Sequence, residues 1–161
     1  TVGQPVFFGS DKGRRYQYDG WQDGEAQWCW SQGGRPKLLF ALQGPTPQTL
    51  RLRLMPYTHP PQLTRQRVKV LLNGHALGEF APTEEKMQDY QLPLPVGVWQ
   101  AHNTLAFDLP DATAPASVHD GQDLRVLGIA LQSLELDGPE PAPTPAPTPA
   151  STPAPAPSPA P

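Results

Sequence analysis

Leu50-Arg51-Leu52-Arg53-Leu54 places three leucines on one side of the chain and two arginines on the other. Successive residues of an extended chain project to opposite faces, so this is the period of a half-buried antiparallel strand, not of a helix. Val68-Lys69-Val70-Leu71-Leu72 repeats the pattern with Val68, Val70 and Leu72 inward, and it runs into Asn73-Gly74. Asn-Gly tolerates positive φ at both central turn positions, which predicts a tight hairpin into His75–Phe80.

Working outward, further strands are expected at Val6–Phe8, Gln27–Ser31, Lys37–Leu42, Asp89–Leu94, Thr104–Leu109 and Leu124–Leu136. The last is apolar through most of its first half, as a strand buried between layers would be. Turn signals punctuate these runs at Gly33-Gly34, Gly44-Pro45, Pro60-Pro61, Pro95 and Pro110. No helical stripe is sustained anywhere. The pattern predicts an all-β fold, a two-layer antiparallel β-sandwich of the jelly-roll kind.

Residues 138–161 are different in kind. They read GPEPAPTPAPTPASTPAPAPSPAP, hold nearly half of the chain's 23 prolines and contain no aliphatic larger than alanine. Each proline fixes its own φ and pushes the preceding residue out of the helical region, so the run is expected to extend as polyproline II. At about 3.1 Å per residue it would reach roughly 70 Å. It has nothing with which to build a core. The expected division is a jelly-roll head, residues 1–137, and a Pro/Ala/Thr-rich extended tail, residues 138–161. Thr144, Thr148, Ser151, Thr152 and Ser158, set among the prolines, are candidate O-glycosylation sites.

The net charge of −3 and a pI near 5.7 argue against a nucleic-acid partner, which wants a basic face. No apolar run approaches the roughly 18 residues of a membrane-spanning helix. Thr1 leaves both an arbitrary boundary and a processed N-terminus open. The single cysteine, Cys29, forms no internal disulfide and reads as a small buried hydrophobe between Trp28 and Trp30.

Several short pieces follow one another in order: Gly20-Trp21, Glu25, Trp28-Cys29-Trp30-Ser31, the Leu50–Leu54 strand, Gln66–Val70 with Leu72-Asn73-Gly74, and Tyr90-Gln91-Leu92-Pro93. Then come Asn103–Phe107, Pro110-Asp111-Ala112, and Asp123-Leu124-Arg125 leading into Leu127–Leu131. Taken together, from about Phe8 to Leu136, the order resembles the jelly-roll accessory modules of bacterial cell-surface glycan proteins, the galactose-binding-like carbohydrate-binding modules. The resemblance implies a jelly roll and a non-catalytic role near extracellular glycan, with the protein secreted or at the cell surface.

Catalytic chemistry finds little support. His59, His75, His102 and His119 lie on separate turns without metal-ligand spacing, and there is no GxSxG and no Gly-rich phosphate loop. Glu84-Glu85 are adjacent, whereas glycosidase chemistry needs two facing carboxyl groups. In His119-Asp120-Gly121-Gln122-Asp123, ahead of Arg125, two readings compete. Asp120 and Asp123 would hold a structural Ca2+, or Asp120 would cap the turn while Asp123 pairs with Arg125 to anchor the last strand. The second is favoured, because Arg125 is expected in an apolar strand and needs a carboxylate there.

Sugar recognition uses flat aromatic platforms against which pyranose CH faces pack. Trp21, Tyr57 and Trp99, beside turn signals, are the candidate stacking residues, whereas Trp28 and Trp30 read as core. The function expected is an extracellular module binding or organising glycan, with the Pro-rich arm as tether. The alternative is a self-assembling subunit of a filament, sheath or matrix, whose arm packs on other copies of the chain.

Overall fold

The computed structural model describes residues 3–138 except 10, 23–26 and 43. Its ten strands are β1 (Val6–Phe7), β2 (Gln17–Asp19), β3 (Cys29–Trp30), β4 (Lys37–Phe40) and β5 (Thr49–Pro56), followed by β6 (Val68–Leu72), β7 (His75–Phe80), β8 (Gln88–Pro93), β9 (Asn103–Asp108) and β10 (Ile129–Asp137). A single helical turn at Asp11–Arg14 and a 3-10 turn at Pro115–Val118 are the only helical pieces among the described residues. The strands form two five-stranded antiparallel sheets. One runs β1-β10-β5-β8, with β3 taking the remaining part of the β10 edge; the other runs β2-β4-β9-β6-β7. This is the jelly-roll sandwich that the alternation implied.

Leu50, Leu52 and Leu54 point inward from β5 with no accessible surface, while Arg51 faces out. They meet Val68, Val70 and Leu72 of β6 and Leu105 and Phe107 of β9 in one core. Burying each such side chain contributes about 1.5–3 kcal/mol. In β10 both Leu131 and Leu134 face that core although they are three residues apart. The register against β5 slips between Leu131 and Ser133, so Gln132 is an inserted bulge residue that restores the parity. Its Oε1 accepts from Arg53 Nε at 2.7 Å.

Asn73 (φ 49°) and Gly74 (φ 85°) form the expected hairpin turn, and β6 and β7 fall where the sequence put them. On one flank of the sandwich, Phe80 of β7 stacks on Tyr90 of β8, centroids 4.1 Å apart, joining the edges of the two sheets. At the far end of β10, Gly3 N donates to Leu136 O at 2.7 Å, so the first and last described segments lie side by side.

One expectation is corrected here, and one strand is added. Leu124–Gly128 is not strand: Leu124 is 81% exposed, and pairing of β10 begins at Ile129 opposite Pro56, where β5 ends. Before Ile129 the β5 partner supplies one more bond, Tyr57 N to Gly128 O, and the segment otherwise makes only scattered backbone contacts, Gly33 N to Val126 O and the isolated bridge Thr113–Leu127. β2 was not foreseen, because Gln17-Tyr18-Asp19 is a short edge strand with no apolar alternation.

Asn103 is wholly buried at the start of β9. Its Oδ1 accepts from Gln100 N and Asn73 Nδ2, both at 2.9 Å, and its Nδ2 donates to Gln100 O at 3.0 Å. Asn103→Ala would strand those partners and should lower stability by about 1–3 kcal/mol in urea unfolding. An unchanged unfolding midpoint would mean that this network contributes nothing.

Candidate functional site

The region around Gly20-Trp21 gathers side chains from the β2 edge and from the loop before β10. Gly20 has φ +79°, and a Cβ there would stand 2.7 Å from Pro36 Cα, so the close approach of the two segments requires glycine. Trp21 then bridges to Ser31. Its Nε1 donates to Lys37 O at 2.8 Å, and its ring stacks on Phe8 at 6.3 Å and meets Phe107 edge-on at 6.0 Å. The indole is therefore half-buried, with a fixed orientation.

Two shallow clefts share Asp19, Gly20 and Trp21. The first, about 400 Å³, is also lined by Gln17, Tyr18 and Gln22. The second, about 520 Å³, adds Gln32, Leu124, Arg125 and Val126. Tyr18 is 67% exposed. The register of β2 against β4 shifts between Gln17 and Asp19, which sets Tyr18 at an irregularity of the edge. Apolar surface and hydrogen-bonding groups thus alternate around one rim.

Asp123 pins the loop. Arg125 Nε donates to Asp123 Oδ1 at 2.9 Å and Nη2 donates to Oδ2 at 2.6 Å, while the Arg125 backbone N–H donates to Oδ1 at 2.9 Å. Arg125 Nη1 also donates to Gln22 Oε1, tying the loop to the segment after Trp21. The hydrogen bonds from Arg125 hold the Asp123 carboxyl down to about 2. The pair forms as the sequence suggested, but Arg125 sits on an exposed loop and not in an apolar strand.

Tyr57 is not the exposed platform expected. It is 4% exposed, because Tyr57 N extends the β5–β10 ladder by donating to Gly128 O at 2.7 Å. On the side of β3 opposite Cys29, its ring meets Trp30 edge-on at 6.3 Å within a small second core of Tyr57, Val118 and Leu127. Its hydroxyl donates to Asp120 Oδ2 at 2.9 Å, and His59 Nδ1 lies 3.6 Å from the same oxygen. Burial first, then the bond to Asp120, holds the Tyr57 phenol protonated far above the usual tyrosine range. Asp120 therefore fastens the loop to the second core and does not cap its own turn.

Trp99 is half-buried against the main core and lines neither cleft. Cys29 is buried in that core, its Sγ donating to Gln22 O at 2.8 Å. The structure brings Trp21 and Arg125 together and leaves Tyr57 and Trp99 elsewhere. Sequence reasoning missed Tyr18, Gln22, Leu124 and Val126. The exposed Leu124 and Val126 were hidden inside an apolar run that read as strand. Glu25 and the arm residues Thr144, Thr148, Ser151, Thr152 and Ser158 lie outside the described residues.

No protein-family model and no curated protein sequence matches the chain. Solved structures do. The chain is similar to part of a GH115 4-O-methyl-α-glucuronidase with specificity for decorated arabinogalactans, at TM-score 0.53 and 13% identity; the match covers 87% of this chain and 18% of that enzyme. It is also similar to a carbohydrate-binding module, CBM36, in complex with calcium and xylotriose, at TM-score 0.50 and 9% identity, covering 83% of this chain and 99% of the module. The likeness is one of fold, a jelly-roll β-sandwich. The chain spans under a fifth of the glucuronidase and nearly all of the CBM36 module.

Calcium fits the candidate carboxylates poorly. The oxygens of Asp123 are engaged by Arg125, one oxygen of Asp120 is engaged by Tyr57, and no group of three or more His, Cys, Asp or Glu side chains suited to a metal occurs among the described residues.

A depressed carboxyl contributes stability above its unfolded value, near 4, and loses it as pH falls through its folded value. Asp123 should therefore stay ionised until about pH 2 in a carboxyl-carbon NMR titration. A midpoint near 4 would show that the clamp on Arg125 is absent in solution.

Proposed function

We propose that the protein is an extracellular, non-catalytic module that binds glycan at the rim around Trp21, with residues 138–161 as its tether. The observation that carries this reading is the exposed Tyr18 beside the fixed Trp21, over two clefts edged with hydrogen-bonding groups. A pyranose has apolar CH faces and an equator of hydroxyls. Tyr18, Trp21, Leu124 and Val126 offer the matching apolar surface, and Asp19, Gln22, Gln32 and Arg125 offer donors and acceptors. The jelly-roll likeness to a xylotriose-binding module supports the same ligand class. No helix among the described residues is long and apolar enough to cross a membrane. We assign the site no calcium and no catalytic residue. The arm's threonines and serines are proposed as glycan-bearing positions, to be read out by intact mass.

A second reading, a self-assembling subunit of a filament or matrix, draws on the exposed apolar side chains Phe7 (53%) and Val96 (88%). Such side chains suit contacts between copies. Sedimentation as long polymers, with no response to any glycan, would favour it over the module.

The test is an NMR titration with a panel of neutral and acidic oligosaccharides. Shifts should concentrate at Tyr18–Gln22, Gln32 and Leu124–Val126. Tyr18→Ala should weaken binding about tenfold, or ~1.4 kcal/mol, with little change in unfolding midpoint. Shifts confined to the opposite flank, at Phe80 and Tyr90, would overturn the assignment of this rim.

A further inference from the structure

A third cleft, a shallow apolar groove with a cavity volume of about 50 Å³, lies between the sheets and is lined by apolar side chains from both, with Gln4 and Ala41 at its margin. Val6 of β1 with Leu134 and Leu136 of β10 form one wall; Tyr16, Phe40 and Leu42 form the other. Tyr16, Phe40 and Leu136 are only partly covered, so this is apolar surface that the head leaves unfilled. It is separate from the Trp21 rim and plays no part in the glycan reading.

We infer that this cleft is the docking site of the chain's own Pro-rich segment, residues 139–161. Position is the first argument. β10 ends at Asp137, and the Leu136 that lines the cleft is two residues from Gly138, where the Pro-rich run begins. The run therefore starts at the cleft's wall. A tethered segment that close is present at an effective concentration on the order of millimolar, so even weak docking is populated without a second molecule. Chemistry is the second argument. Proline rings in X-Pro repeats are recognised by grooves lined with aromatic rings, and the rod has little conformational entropy left to lose. Tyr16 and Phe40 supply such rings, and the segment carries only Glu140 as a charged side chain. Gly138 accepts backbone angles closed to other residues, so it can serve as the hinge by which the run turns onto the cleft.

The experiment uses the full chain with a nitroxide on Ala146→Cys; the native thiol, Cys29, has no accessible surface. The amides of Val6, Tyr16 and Phe40 should lose most of their intensity relative to the reduced label, independently of protein concentration. Leu42→Asp should restore them, and so should Ala41→Glu, whose exposed position carries little risk to folding. Equal intensities with and without these substitutions would overturn docking in the cleft. Broadening that instead passes from labelled to unlabelled molecules in a mixed sample, and grows with concentration, would overturn docking within one chain and make a second copy's segment the occupant. None of these outcomes depends on whether a glycan binds at Trp21.

Discussion

The period-two burial of β5 must be satisfied on both of its sides at once. Leu50, Leu52 and Leu54 have no accessible surface, and the strand is hydrogen-bonded to β10 on one edge and β8 on the other. A slip of one residue in either ladder would turn three leucines to water and two arginines to the core. The rest of the sandwich conforms to that constraint. β8 matches it with Tyr90 and Leu92 opposite Leu52 and Leu50, and β10 meets it only by inserting Gln132. The arginines face the other way, into ion pairs with Glu135, Asp137 and Asp89. Those pairs are partly solvated, so they add register specificity more than stability.

Much of this frame was legible because alternation is a local signal. Leu50–Leu54, Val68–Leu72 and the Asn73-Gly74 turn each carry their meaning in a few consecutive residues. What failed depended on partners distant in the chain. Leu124–Gly128 has strand composition, yet whether it pairs depends on where β5 stops, over 60 residues earlier. Tyr57 sits just before a turn signal, yet the ladder to Gly128 carries it inward before Pro60-Pro61 takes effect. At the candidate site, Trp21 and the Asp123–Arg125 pair were readable from residue type and spacing. Tyr18 was not, because its exposure comes from an irregularity in the pairing of β2 with β4.

The rim around Trp21 is made of loop and edge, but it is not loosely held. Arg125 links Asp123 in its own loop to Gln22 beside Trp21, and Asp120 in the same loop is fixed by the buried Tyr57. The small core of Tyr57, Val118, Leu127, Trp30 and Leu63 lies beneath that loop and gives it an apolar footing of its own. Two anchors of different chemistry thus hold one segment, and side chains so fixed lose less freedom when a ligand arrives.

The pairing of Gly3 with Leu136 has a consequence for how such a head combines with other polypeptides. Its two ends emerge next to each other on the same border of one sheet. A unit with that geometry can be spliced into a surface turn of a host protein without prising the host's strands apart, or have its ends joined and be reopened elsewhere. The architecture therefore suits a guest within a larger chain as readily as a bead at its end.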